Sequence, residues 1–62
     1  MYKILDIEGN LILQFTTFKD AETVVMLFKK SIGDTIIVVE PNGKIHTYVW
    51  DNQYQTYVLF SE

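Results

Sequence analysis

Thr35-Ile36-Ile37-Val38-Val39-Glu40-Pro41-Asn42-Gly43-Lys44-Ile45-His46-Thr47-Tyr48-Val49-Trp50 is two β-prone runs around one turn, and the fold is read outward from it. Thr35 to Glu40 is dense in β-branched residues, and Lys44 to Trp50 continues the preference with aromatics. Between them Pro41 supplies the fixed φ of a first central turn position and Gly43 the left-handed residue behind it. This register pairs Glu40 with Lys44, Val39 with Ile45 and Val38 with His46. A further turn near Asp51-Asn52-Gln53-Tyr54 returns the chain into a last strand, Gln55 to Phe60.

Upstream, Tyr2 to Asp6 and Asn10 to Phe15 read as a hairpin. Asp6 can accept a backbone hydrogen bond two residues on, and Gly9 can take the left-handed position that makes a bulge. That turn sets Leu5 opposite Leu11 and Lys3 opposite Leu13. Leu5, Leu11, Leu13 and Phe15 then share one face, and Tyr2, Ile4, Ile12 and Gln14 the other. A two-residue loop at Gly9-Asn10 is the competing register. Between hairpin and sheet, Thr17 is placed to cap a helix, with Asp20 three residues on. Phe18, Ala21, Val25, Phe28 and Ile32 recur at helical spacing, widened by Val24 and Leu27, and Gly33 marks the end. The helix is expected from about Phe18 to Ile32. The fold class is α+β in the order β-β-α-β-β-β, a single-layer antiparallel sheet with one helix on one face, forming one domain over residues 1–62.

The alternation yields two lists. Ile37, Val39, Ile45, Thr47, Val49, Thr56, Val58 and Phe60 form one; Ile36, Val38, His46, Tyr48, Trp50, Tyr57 and Leu59 form the other. Neither is polar, although a solvated antiparallel sheet normally alternates cleanly. A helix of about 14 residues is roughly 21 Å long and covers only one face. The aliphatic list offers compact side chains for Val25, Phe28 and Ile32, so the helix is expected there. The aromatic face around Tyr48, Trp50 and Tyr57, with His46, would then be displayed as a protein interface. Internal packing of that face under the first hairpin is the other reading. Met26 lies on the helix side away from the core stripe, either incidental or an adaptable contact.

Composition limits the chemistry. The 62 residues are 48% hydrophobic, enough for one packed core and too few for two. With no cysteine and one histidine, disulfides, thiolate metal sites and structural zinc are not expected. Five lysines, no arginine and eight dispersed carboxylates give a net charge of -3, which disfavours nucleic acid as a partner and does not resemble a run-rich acidic mimic. Stacking of single-stranded bases on Tyr48, Trp50 and Tyr57 remains an alternative, with only Lys44 near to hold phosphate. Ser31 and Ser61 form no set with His46, and the glycines form no phosphate loop, so no catalytic, cofactor-binding or metal residues are expected. No signal-length or membrane-length apolar run occurs, and cytoplasmic residence is the expectation. The function expected is non-catalytic protein binding, as a small inhibitor or accessory protein that self-associates, as a homodimer or higher. A small structural protein with no separate ligand, and pairing through an edge strand, are the other routes.

Overall fold

The computed structural model describes residues 1–61; Glu62 and the side chain of Ser31 lie outside the described part. Strands β1 (Tyr2–Asp6) and β2 (Leu11–Phe15) precede helix α1 (Phe18–Leu27) and a short 3-10 turn (Lys30–Ile32). Strands β3 (Thr35–Val39), β4 (Ile45–Asp51) and β5 (Thr56–Ser61) complete one five-stranded antiparallel sheet in the order β2-β1-β3-β4-β5. The α+β architecture read from the sequence is the one observed.

Both glycine-marked hairpins close by the same device. At residues 40–44 the Gly43 amide donates to the Glu40 carbonyl at 2.9 Å and the Glu40 amide to the Lys44 carbonyl at 2.8 Å. The Lys44 amide donates to Asn42 Oδ1 at 2.9 Å, and Gly43 sits at φ +92°. Val38 faces His46 and Val39 faces Ile45, as the turn chemistry requires. A Cβ on Gly43 would meet nothing within 4 Å, so only the backbone resists a side chain there. Gly43→Ala is therefore expected to cost about 1–2 kcal/mol, the penalty of a left-handed alanine, measured by urea denaturation.

In the first hairpin Asp6 plays the organising role. Its Oδ1 accepts from the amides of Glu8 at 3.0 Å and Asn10 at 2.8 Å, and its Oδ2 from Asn10 Nδ2 at 3.1 Å. The Asn10 amide, above the other donors, holds the Asp6 carboxyl below its ordinary carboxylate range. Leu5 faces Leu11, as expected. Lys3, however, faces Gln14 and not Leu13, because the register shifts between Ile4 and Leu5 and leaves Ile12 as an extra residue on β2. The bulge moves Phe15 to the side of its partner Tyr2, so the face shared by Leu5 and Leu11 continues with Gln14 and Lys3.

The helix starts where its cap places it, with the Asp20 amide donating to Thr17 Oγ1 at 3.2 Å. It ends sooner than periodicity suggested. Phe28 is extended at φ -67°, ψ 149°, and the chain turns again before Gly33. Phe28 and Ile32 still reach the core, but from the turn and not from a continuous helix; Leu27 is exposed rather than widening the stripe. Gly33 closes the 3-10 turn at φ 136°, ψ 173°, a region open essentially to glycine alone.

The core is Ile4, Ala21, Val25, Ile36, Val38, Tyr48 and Tyr57. All lie on the helix or on the sheet face carrying Ile36, Val38, His46 and Tyr48. The helix therefore covers the aromatic face, and the expectation that it covers the aliphatic one is overturned. Aromatic side chains bury about 150–250 Å² each, so a single helix removes most apolar area from water by covering the rings. Ala21 lets the helix approach the sheet closely, and its valines meet Ile4, Ile36 and Val38 at the centre.

Candidate functional site

The five residues expected at an interface are dispersed by this packing. Tyr48, Tyr57 and His46 are 3%, 1% and 5% exposed, respectively, beneath the helix. They are core residues and offer no docking surface, and neither tyrosine has a ring face open to stack a base. Trp50 is half-buried against Tyr57, edge to face at 5.1 Å and 77°. Met26 alone is well exposed, at 56%, on the outer side of the helix.

What looked like an interface is an aromatic core whose polar tips are met at its rim. Tyr48 Oη donates to Glu22 Oε2 at 3.4 Å and Trp50 Nε1 to Asn52 Oδ1 at 3.0 Å. The Tyr57 hydroxyl donates to the Gly33 carbonyl, with the Lys29 carbonyl at 3.4 Å. The Lys29 carbonyl also accepts from the Ile32 amide at 3.2 Å and Gly33 closes the 3-10 turn, so that turn and the burial of Tyr57 are one feature. Burial, and secondarily the charge of Asp34, push the Tyr57 phenol above its ordinary value of 10.0.

His46 Nε2 lies 2.5 Å from Glu40 Oε2, and the ring packs on Phe18 with centroids 4.7 Å apart. His46 Nδ1 is buried without a hydrogen-bond partner among the described residues. Glu40 was missed as a partner, though the signal was present. Once Val38 faces His46, alternation puts Glu40 on the same face and diagonal to the imidazole. The pair sits beside Phe18 at the start of the helix, with the Glu40 side chain 21% exposed. Among the described residues no group of three or more histidines, cysteines or carboxylates could hold a metal, and no helix is long and apolar enough to cross a membrane.

The opposite sheet face is the uncovered one. Strand pairing sets Leu11, Leu5, Ile37 and Thr47 side by side in one row. A second row runs Gln14, Lys3, Val39, Ile45, and a third Thr35, Val49, Val58. Leu11 and Ile45 are each 51% exposed, and the aliphatic residues between them are partly exposed. Seven aliphatic side chains (Leu5, Leu11, Ile37, Val39, Ile45, Val49, Val58) thus lie together with Lys3 as the one charge among them. At the margin, a register shift between Thr47 and Tyr48 leaves Phe60 between the residues paired with them, strongly exposed. The edges of the sheet are β2 and β5. A shallow cleft of about 320 Å³ opens at one end, among Met1, Lys3, Val39, Glu40, Pro41 and Gly43. No family model matches the chain, and comparisons with curated proteins and with solved structures likewise find no match.

Proposed function

We propose that the protein is a non-catalytic protein-interaction module that works through the aliphatic face of its sheet. The observation that carries the reading is the patch of Leu5, Leu11, Ile37, Val39, Ile45, Val49 and Val58, interrupted by Lys3 and Thr47, with no element of the described residues packed on it. At about 25 cal/mol per Å² of apolar surface removed from water, covering such a patch is a strong driving force for association. A contiguous exposed apolar area above a few hundred Å² marks a contact site. The reading keeps the class of function expected from the sequence and moves it to the other face of the sheet.

The absence of cysteine allows a clean test by single-thiol labelling. Thr47→Cys places a thiol in the middle of the patch, and Thr23→Cys places one on the exposed side of the helix. In intact cells Thr47→Cys is expected to react with maleimide at least about tenfold more slowly than Thr23→Cys, because access governs labelling of an otherwise ordinary thiol. In the purified protein unfolded by urea the two react alike. Equal rates in cells would overturn the proposal.

A further inference from the structure

We infer that the occupant of the aliphatic face is a second copy of this chain, its strands antiparallel to those of the first. The inference rests on the reading of that face as a protein-binding surface and adds the partner and its orientation.

The first argument is area. Strands about 4.8 Å apart and rising about 3.3 Å per residue give a five-stranded face of roughly 24 by 20 Å. Two such faces, with side-chain relief, remove about 1,000–1,200 Å² from water, which reaches the lower bound of about 1,000 Å² for a specific interface and falls short of an obligate dimer. Sheets packed face to face interdigitate with strand directions within about 30°, and aliphatic side chains suit that packing. A closed two-fold contact uses the same patch twice, so an apolar face needs no separately shaped partner.

The second argument is charge. The sheet is polarised along its strands. On the open face one end carries Lys3; Glu40 and Lys44, opposite each other across the turn, share the face that turns to His46 on the helix side. The other end carries Glu8 in the β1–β2 turn and Asp51 on the face of Val49; Asp6, opposite Ile36, and Asp34, whose Oδ1 is 3.9 Å from Lys30 Nζ, belong to the helix side. Packing two copies with like ends together would set carboxylates against carboxylates. A two-fold axis in the interface and perpendicular to the strands sets the lysine end of each copy over the acidic end of the other. The pattern is self-complementary only in that orientation.

Sedimentation of the purified chain tests this. It is expected to pass reversibly from one chain mass to two within about 1–500 µM, the range of a small, non-obligate contact. Ile45→Glu, at a position already half exposed and so compatible with folding, is expected to raise the dimer dissociation constant at least about tenfold. Lys3→Glu and Glu8→Lys should each dimerise several-fold more weakly than the parent at low salt, while an equimolar mixture of the two regains association as a heterodimer. A monomer throughout the range would overturn the second copy as partner, and slow labelling of Thr47→Cys in cells would in that case leave the binding face standing with a foreign protein on it. Dimerisation indifferent to Ile45→Glu would overturn the face, and charge variants whose mixture gains nothing would overturn the orientation.

Discussion

Replacing Tyr57 by alanine is expected to leave the protein without a stable fold, whereas phenylalanine at the same position leaves it folded and weaker. The ring is 1% exposed and lies between helix, 3-10 turn and sheet. Truncating a buried aromatic costs about 3–5 kcal/mol through lost burial and the cavity left behind. A 62-residue domain has about 3–9 kcal/mol in total. Tyr57→Phe keeps the ring and removes only the hydroxyl, so the Gly33 carbonyl loses its donor at a cost of about 1–3 kcal/mol. The pH dependence separates this hydroxyl from mere packing. Burial first, and then Asp34, raise the Tyr57 phenol above 10.0, so the fold favours the protonated form. Its contribution is fully present below pH about 10, the unfolded value, and is lost as pH rises through the folded one. Urea midpoints measured from pH 7 upward should fall more steeply for the parent chain than for Tyr57→Phe. Parallel slopes would remove the role given to the hydroxyl.

Tyr57 also shows where the sequence stopped being informative. Alternation on β4 and β5 correctly groups it with Trp50, Tyr48 and His46, because the turn at Asp51 fixes the register in which Trp50 faces Tyr57. Asp51 does so locally, its Oδ1 accepting from the amides of Gln53 at 2.8 Å and Tyr54 at 3.2 Å. Turn chemistry of this kind acts within a few residues, which is why all three hairpins were legible. Period-two patterning says which residues share a face; it does not say which face goes inside when both are apolar. That choice is made by partners far along the chain: Gly33 for Tyr57, Glu22 for Tyr48, and Ala21 with Val25 for the space above Ile36 and Val38. The premise that compact aliphatic side chains suit a helix neglected the larger area and the satisfiable polar tips of the rings. Bulges are the other blind spot. Nothing in Leu11-Ile12-Leu13 marks Ile12 as the extra residue, yet it moves Phe15 from the open face to the core. The helix end was not legible: Gly33, read as its cap, closes the 3-10 turn instead, and the helix breaks at Phe28, where Phe28, Ile32 and the Tyr57 hydroxyl share one corner.

The Glu40–His46 pair is expected to respond asymmetrically to removal of its two members. Glu40→Ala takes the partner 2.5 Å away from Nε2 of a ring that is 5% exposed, and Nδ1 of that ring has no partner among the described residues. The imidazole would then be buried with neither nitrogen hydrogen-bonded, at a cost of about 1–3 kcal/mol. The full penalty of a broken buried ion pair is not expected, because the Glu40 side chain is 21% exposed and solvent enters at that rim. His46→Phe goes the other way. It removes the orphaned Nδ1, keeps a planar ring against Phe18, and leaves Glu40 where water can reach it, so stability should change by less than about 1 kcal/mol or rise. In the double variant the cost of Glu40→Ala should largely vanish, since no imidazole remains to be satisfied. A double-mutant cycle in urea reads the coupling directly. If Glu40→Ala costs the same with phenylalanine at position 46 as with histidine, Glu40 serves its own turn and not the ring. A coupling above about 1 kcal/mol would instead show that the hairpin at Pro41 and the core under α1 are fastened to each other through this one contact, which makes the most legible turn in the sequence a determinant of which sheet face the helix covers.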